Sequence, residues 1–227
     1  MAIVAVVPVK PLRRGKSRLA AVLDDEERYR LNCYLFTHTL KVLKQVPELE
    51  RILVVSRDTA ALALAREHGA HTLQEPSDSQ LNLALKRTTV LLRSTAVSTV
   101  VILPADLPLL AVEDVQALLA ALPEPEGLVL APNAQETGTN GLAVRPPDRV
   151  EYRYGPNSFA QHLAYAREVG LPVAIVRRPG LQYDVDWPED LRLVADVFPS
   201  FAARVGAPTT TPPSPRPSTV SGRTYEC

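Results

Sequence analysis

This sequence has few cysteines, no excess charge of either sign and no long apolar run. Its two cysteines, Cys33 and Cys227, fit neither a disulfide framework nor a metal-ligand spacing, which agrees with a reducing cytoplasm. Twenty-five basic residues balance twenty-five acidic ones, so the broad positive field of a dedicated nucleic-acid binder is absent. No apolar run approaches the roughly 18 residues that span a bilayer. The composition predicts a cytoplasmic protein that binds neither nucleic acid nor membrane.

Apolar, β-branched runs recur along the chain, and stretches of helical pattern separate them. The runs occupy residues 2–9, 51–56, 98–104 and 127–132. The first run lacks the basic start and cleavage site of a signal peptide, so we interpret it as the first strand. Such runs suit strands covered by helices on both faces, and their alternation with helices is typical of parallel sheets. We expect an α/β protein, a three-layer α/β/α sandwich with a mostly parallel mixed sheet.

The longest helix is expected to begin near Asp24. Asp24 and Glu27 form a capping-box pair, in which each side chain can satisfy a free backbone N–H, and an apolar stripe follows from Leu31 onwards. The pattern predicts shorter helices at about 58–68, 79–93, 111–122, 158–169 and 188–197.

The composition changes abruptly near the end of the chain. Residues 206–227 hold five of the 21 prolines and almost nothing that could pack. Such a segment buries too little apolar surface to offset its ordering entropy. We therefore predict one folded domain over residues 1–205 and a disordered tail over 206–227.

A basic loop follows the first strand. It places Lys10, Arg13, Arg14, Lys16 and Arg18 within nine residues. Ligands of open α/β sheets bind beyond the carboxyl ends of the strands, and these charges suit a triphosphate. The loop is neither a P-loop nor a Rossmann glycine motif. The alternative is a solvated loop whose charge the following DDEE neutralises.

Three aspartates are candidate metal ligands. Asp106 follows a very apolar strand, where a buried carboxylate is costly unless a cation meets it. Asp184 and Asp186 are two residues apart, so in extended chain both carboxylates point the same way. The alternatives are helix caps, with Asp106 capping a helix near Val112 and Asp186 one at Pro188. Together the three suit one or two Mg²⁺ ions that bridge phosphates.

Two glycine-containing segments could form an anion site. The first is GTNGL with Thr139, and the second runs through Gly155, Asn157 and Ser158 into a predicted helix. A helix N-terminus offers free N–H groups to a phosphate or carboxylate. The alternative is an ordinary turn capped by Asn157 or Ser158. His162, one turn into the helix, is close enough in sequence to approach such a site.

Taken together, these motifs resemble a known family. The chain contains, in order, VPVKPL, GKSRLA, LPADLPLL, GTNGL, YGPNSFAQH and DVDWPEDL. This order and spacing resemble the CofC/FbiD family of phospholactate or phosphoenolpyruvate guanylyltransferases, over residues 3–197. Molybdenum-cofactor guanylyltransferases and sugar-nucleotide pyrophosphorylases are more distantly similar and share the nucleotide-diphospho-sugar transferase (GT-A-like) fold, which the resemblance therefore implies here.

The resemblance also implies roles for particular residues. Its implied Mg²⁺ ligands are the same three aspartates, and its implied phospho-acid site is Thr139, Gly155 and Ser158. Nucleotide binding is implied for Pro8, Lys10, Lys16 and Asn82, and a catalytic role for Lys10, Lys16 and Asp106. One departure is SDSQLNLAL, which carries Gln80 where the family often has a glycine-rich stretch.

The implied reaction transfers GMP from GTP to phosphoenolpyruvate or 2-phospho-L-lactate, with release of pyrophosphate, in coenzyme F420 biosynthesis. The acceptor phosphate is already an anion, so it can attack the α-phosphorus without a general base. The expected partners are GTP and a small phospho-acid, 3-phosphoglycerate included, and a homodimer is left open. The alternatives are a sugar-phosphate or molybdenum-cofactor-type nucleotidyltransferase, a DxD glycosyltransferase, and a nucleotide sensor without turnover.

Overall fold

A seven-stranded sheet forms the centre of the protein in the computed structural model, which describes residues 2–76 and 80–205. The strands are β1 Ala2–Val9, β2 Arg51–Ser56, β3 His71–Gln74, β4 Val97–Ile102, β5 Gly127–Pro132, β6 Thr139–Arg145 and β7 Val173–Ile175. The α-helices are α1 Asp25–Lys44, α2 Thr59–Glu67, α3 Leu81–Arg93, α4 Val112–Ala120, α5 Ser158–Glu168, α6 Pro179–Gln182 and α7 Pro199–Ala203. Short 3-10 helices occupy Ser17–Ala21, Pro147–Arg149 and Pro188–Val194.

The strand order is β3-β2-β1-β4-β6-β5-β7, and only β6 runs antiparallel to its neighbours. The predicted mostly parallel mixed sheet is therefore confirmed. Because β6 runs against β4, with Leu142 opposite Ile102, its first residue lies at the carboxyl end of β4. Thr139 is that first residue. The topology thus brings Thr139 to the sheet edge where β1 and β4 end.

Helices cover the sheet on both faces, as the three-layer prediction requires. Along β1, Ala5 and Val7 pack into one apolar cluster with α1, α2 and α4, while Val4 and Val6 pack into another with α3 and α5. This alternation follows from the two-residue period of a strand. A third cluster joins the α1 residue Leu31 to Val185, close to two of the candidate aspartates. None of the helices in the described ranges is long and apolar enough to cross a membrane.

The predicted start of the longest helix is confirmed. Asp24 accepts the N–H of Glu27 at 2.8 Å, and Glu27 accepts the N–H of Asp24 at 3.0 Å. The helix predicted at 188–197 is instead the 3-10 helix Pro188–Val194, at whose start Asp190 accepts the N–H groups of Asp186 and Trp187. The predicted tail and the residue at which the 79–93 helix was expected to begin lie outside the described residues.

An ion pair between the buried Asp114 and the half-exposed Arg178 anchors the segment that precedes the candidate aspartates 184 and 186. The Asp114 side chain is 4% exposed, and its Oδ1 lies 2.5 Å from Nε of Arg178. Its Oδ2 accepts the N–H of Ala111 at 2.9 Å at the start of α4. A Cβ on Gly180 would collide with the same carboxylate, so only glycine fits there. Arg178 leads directly into α6, so α4 fixes where the following chain begins.

Replacing this carboxylate is expected to destabilise the fold. In Asp114→Ala the N–H of Ala111 and the guanidinium of Arg178 both lose a partner, at a cost of about 2 kcal/mol. Urea denaturation measures the change in the free energy of unfolding. The exposed neighbour Glu113 provides the control variant Glu113→Ala, with an expected change below about 0.5 kcal/mol. Equal denaturation midpoints for the two variants would contradict the anchoring role.

Candidate active site

Three carboxylates converge at the end of β4. One oxygen each of Asp106, Asp184 and Asp186 lies within 4.8 Å of the others. The N–H of Val185 donates to the carbonyl of Asp106 at 3.2 Å, which ties the two segments together. Val185 is fully buried in the third cluster, so its neighbours on either side point the other way, towards Asp106. The expected meeting of these side chains is thus observed.

The ammonium group of Lys16 lies among these carboxylates. Its Nζ is 2.6 Å from Oδ2 of Asp106 and 3.1 Å from Oδ1 of Asp186, and the side chain is only 7% exposed. Arg18 donates to the second oxygen of Asp186 at 2.8 Å. Lys16 has a left-handed backbone, with φ of 59°, directly before the 3-10 helix Ser17–Ala21. The turn of the basic loop therefore directs a cation into the acidic cluster.

The charges at the cluster compensate one another incompletely. Burial alone would lower the pKa of Lys16, but Asp106 and Asp186 raise it above its usual value. Burial likewise opposes ionisation of Asp186, yet the charge of Lys16 holds its pKa below the usual range. Burial, and then the charges of Asp106 and Asp186, raise the pKa of Asp184 to about 6. Lys16 and Arg18 form ion pairs with Asp106 and Asp186. Within residues 2–76 and 80–205, Asp184 forms no ion pair.

This arrangement fits a divalent cation. Three carboxylate oxygens from separate segments are the hard ligands that Mg²⁺ accepts. The ammonium of Lys16 acts as a stand-in cation, which demonstrates that the cluster stabilises positive charge. The least compensated carboxylate, Asp184, gains most from a further cation. Asp106, Asp184 and Asp186 are therefore the residues that could hold a metal ion.

A cavity of about 400 Å³ opens beside the cluster, at the carboxyl ends of β1 and β2. Asp106, Asp186 and the predicted nucleotide-binding residues Pro8, Lys10 and Lys16 line it. Lys10 is exposed, so its charge faces the open space. The remaining wall includes Val55 and Ser56 of β2, Phe36 of α1, Leu81 and Ala84 of α3, and Arg57 and Glu75, which directly follow β2 and β3. Its volume suits a nucleotide-sized ligand.

Arg13, a further residue of the basic loop, takes a different role. It lies over the ring of Tyr29 at 4.1 Å and pairs with Glu26 at 3.0 Å. The acidic DDEE segment therefore neutralises Arg13, as the alternative expects, whereas Lys16 pairs with the candidate aspartates instead.

The predicted phospho-acid residues also come together. The N–H of Thr139 donates to Oγ of Ser158 at 2.9 Å, and the N–H of Ser158 donates to the carbonyl of Gly155 at 3.2 Å. Thr139 and Ser158 are buried, whereas Gly155 is exposed with a φ of 139°. Thr139 opens a strand rather than a turn, and the side chain of Asn157 does not cap α5. The turn that the alternative expects is present before α5, with Asn157 at the N-cap position, but the side-chain cap by Asn157 is absent.

His162 belongs to the same group of residues as Thr139 and Ser158. It is fully buried, its Nδ1 lies 3.0 Å from Oγ1 of Thr139, and its Nε2 accepts the N–H of Arg153 at 2.9 Å. Tyr154 packs edge-on against the ring, with the centroids 5.1 Å apart. Burial, and then the charge of Arg153, lower the pKa of His162 to about 4. The ring is therefore neutral at physiological pH.

Acidification is expected to destabilise the protein through this ring. The pKa of histidine in an unfolded chain is about 6.5, so between that value and about 4 the unfolded chain binds more protons than the folded protein. The contribution of His162 to stability falls as the pH drops through this window, by on the order of 3 kcal/mol, and returns as the pH rises. The other titratable groups facing the ring are Arg153 and Tyr154. Denaturation of His162→Asn across this range should show a flatter profile; parallel profiles would contradict the assignment.

Asn82, a predicted nucleotide-binding residue, has both side-chain amide atoms engaged elsewhere. Its Oδ1 accepts the N–H of Tyr154 at 2.8 Å, and its Nδ2 donates to the carbonyl of the same residue at 3.0 Å. It therefore ties α3 to the segment that carries Gly155. A nucleotide contact by Asn82 stays a prediction.

Two polar residues near these side chains, Arg18 and Asn140, were not predicted as site residues. Arg18 was counted only as part of the basic loop, and nothing in its spacing signals its pairing with Asp186. Asn140 lies in the same GTNGL segment as Thr139 but is not among the predicted site residues. Its amide Nδ2 is buried without a hydrogen-bond partner in the part of the chain that the structure describes, one residue from Thr139. A buried donor without a partner is rare and is a candidate contact for an absent anion.

Solved structures of nucleotide-diphospho-sugar and nucleotidyl transferases share this fold. A protein from Desulfovibrio desulfuricans G20 assigned to the nucleotide-diphospho-sugar transferases aligns with a TM-score of 0.73 at 17% identity, over 90% of this chain and 94% of that one. A nucleotidyl transferase from Methanothermobacter thermautotroptrophicus aligns with a TM-score of 0.62 at 16% identity, over 88% and 98%. At such identities the likeness establishes the fold, as predicted.

Sequence comparison gives the family. The model of the family described as "Guanylyl transferase CofC like" matches residues 3–195. Phosphoenolpyruvate guanylyltransferase of Sphaerobacter thermophilus is 42% identical over 205 residues, which are 89% of this chain and 97% of that protein. The enzyme of the same name from Rubrobacter xylanophilus is 40% identical over 191 residues, 84% and 92% of the two chains. The chain belongs to the CofC-like guanylyl transferase family, as the sequence motifs predict.

Proposed function

We propose that this protein transfers GMP from GTP to phosphoenolpyruvate and releases pyrophosphate, with Mg²⁺ held by Asp106, Asp184 and Asp186. The observation that carries the proposal is the convergence of these carboxylates with Lys16 beside a nucleotide-sized cavity. The names of the relatives support guanylyl transfer and favour phosphoenolpyruvate over 2-phospho-L-lactate as the acceptor. We further propose that the reaction serves coenzyme F420 biosynthesis, on the resemblance of the motifs.

The three aspartates and the lysines of the basic loop would act on the triphosphate. Bound Mg²⁺ would supply charge neutralisation at the phosphates of GTP. Lys10 faces the cavity and Lys16 borders it, so both ammonium groups can offset the negative charge that builds on the departing pyrophosphate. Lys16 must then give up part of its pairing with Asp106 and Asp186. The basic loop therefore acts as the phosphate-binding element.

Thr139, Ser158 and Asn140 would hold the acceptor. The hydroxyl groups of Thr139 and Ser158 are small polar groups in buried positions, and the side-chain Nδ2 of Asn140 has no hydrogen-bond partner among the described residues. Such donors suit the carboxylate or phosphate of a three-carbon acid. The acceptor's phosphate oxygen forms a bond to the α-phosphorus while the bond from that phosphorus to the bridging oxygen of pyrophosphate breaks. No general base is needed, because the attacking oxygen already carries negative charge.

A substrate grid tests the proposal. The protein with Mg²⁺ is incubated with each nucleoside triphosphate and with phosphoenolpyruvate, 2-phospho-L-lactate, 3-phosphoglycerate or a hexose 1-phosphate, and the products are identified by mass. The expected result is a guanylylated phosphoenolpyruvate with an equal amount of pyrophosphate. A product with the hexose phosphate alone would establish a sugar nucleotidyltransferase. Tight GTP binding without pyrophosphate release from any pair would establish a sensor and overturn the proposal.

A further inference from the structure

The hydrogen bonds of His162 fix which ring nitrogen carries the proton. The main-chain N–H of Arg153 has its hydrogen directed at Nε2, so Nε2 is an acceptor and holds no proton. The ring is fully buried and neutral, because its pKa is far below physiological pH. A neutral imidazole carries one proton, which must then be on Nδ1.

That proton sets the direction of the Thr139 hydroxyl. Nδ1 lies 3.0 Å from Oγ1 of Thr139, and His162 also hydrogen-bonds to the backbone of Ser158; a protonated Nδ1 can only donate to these oxygens and cannot accept from the hydroxyl. The hydroxyl oxygen therefore accepts from His162, and its own hydrogen must point elsewhere. Ser158 is arranged in a similar way, since its Oγ accepts the N–H of Thr139 and its hydrogen is likewise left to donate. The two hydroxyl groups become donors to whatever lies in front of them.

We propose that His162 is a positioning residue that holds the Thr139 hydroxyl as a hydrogen-bond donor to the anionic group of the acceptor acid. The inference rests on the proposed function, because it concerns the same acceptor site. A hydroxyl can donate or accept, so an isolated threonine would discriminate poorly between an anion and a neutral group. Because one lone pair of Oγ1 accepts from His162, the O–H hydrogen of Thr139 is directed away from the ring and can donate to a ligand, and the chain of bonds strengthens that donation. The opposite tautomer would turn a lone pair towards the anion and repel it.

If His162 had only a structural role, its replacement would have different effects. Two conservative variants distinguish the structural role from the positioning role. The side-chain amide of asparagine reaches the position of Nδ1, so His162→Asn can still donate to Thr139 but leaves the Arg153 N–H without its partner. Glutamine reaches the position of Nε2, so His162→Gln keeps the bond from Arg153 and loses the one to Thr139. If the ring only supports the segment around Tyr154, glutamine is the milder change. If it orients Thr139, asparagine is the milder one.

Steady-state kinetics with a double-mutant cycle decides between them. We expect His162→Gln to raise the KM for phosphoenolpyruvate about tenfold at an unchanged KM for GTP, and His162→Asn to raise it less than about threefold. In a Thr139→Val background the glutamine change should have no further effect, because the hydroxyl it orients is gone. The exposed His71 gives the control variant His71→Gln. An undiminished effect of glutamine in the Thr139→Val background would overturn the inference, as would asparagine proving the more harmful.

A second measurement keeps this inference separate from the proposed function. If the wild-type protein releases no pyrophosphate with any acid, the proposed function fails, but the hydrogen-bond arrangement is still testable. Nitrogen-15 NMR of the imidazole at pH 7 should show the proton on Nδ1 and none on Nε2. A proton on Nε2, or a charged ring, would overturn the assignment of Thr139 as a donor whatever the substrate.

Discussion

Asp106→Asn is expected to abolish GMP transfer, with a fall in kcat of about a thousandfold or more, while the protein stays folded. Asparagine has the same shape, but its amide oxygen carries no net negative charge and binds a divalent cation more weakly than a carboxylate does. The variant also leaves Lys16 with Asp186 as its remaining ion-pair partner. That loss is offset because removing the charge of Asp106 relieves its repulsion of Asp184. The measurement is pyrophosphate release at saturating GTP and acceptor, together with a thermal melt.

The matched control for this prediction is Asp196→Asn, the same chemical change at an exposed position. It should leave both the rate and the melting temperature unchanged. Asp184→Asn should behave as Asp106→Asn does, since both carboxylates belong to the same cluster. Near-normal turnover in either site variant would remove the metal assignment.

Lys16→Met is expected to affect catalysis and cation binding in opposite directions. Methionine keeps the length of the side chain but has no charge, so transfer should fall about a hundredfold for want of a phosphate contact. The ammonium also competes for the oxygens of Asp106 and Asp186, so the variant should bind Mg²⁺ more tightly than the wild type in the absence of GTP. Without Mg²⁺ the uncompensated carboxylates should lower the melting temperature, and added Mg²⁺ should restore it.

Thermal melts over a Mg²⁺ titration measure this prediction, with the pyrophosphate assay alongside. The exposed Lys41, on α1, supplies the control variant Lys41→Met, which should follow the wild type in both measurements. An unchanged or weaker Mg²⁺ dependence in Lys16→Met would show that the lysine and the cation do not share the same carboxylates. Unchanged turnover would remove Lys16 from the phosphate-binding loop.

The sequence predicts those strands and helices that carry a strong local signal. β1 and β4 are buried on both faces and appear as continuous apolar runs, and the Asp24 capping box marks the start of α1. Three strands were not predicted. β3 and β7 are short edge strands, and β6 begins with Thr-Asn-Gly, residues that favour turns, although the pairing of β6 with β4 and β5 outweighs that local preference.

The candidate site was predictable where residue type and strand order were sufficient. Asp106 lies just beyond a strand, and the i, i+2 spacing of Asp184 and Asp186 gives a common direction in extended chain. No spacing rule, however, indicates that Lys16 would take a left-handed backbone and enter the acidic cluster. The bonds of His162 to Thr139 and Arg153 were equally hidden, because they depend on how α5 packs against β6.

The central claim is that one cation site is formed by carboxylates that are distant in sequence. It is tested most directly by a crystal structure with Mn²⁺ and a non-hydrolysable GTP analogue, recorded at a wavelength where manganese scatters anomalously. The account predicts an anomalous peak within coordination distance of Asp106, Asp184 and Asp186, with the Lys16 ammonium shifted onto the phosphates. An anomalous peak elsewhere, with the lysine still between Asp106 and Asp186, would contradict it.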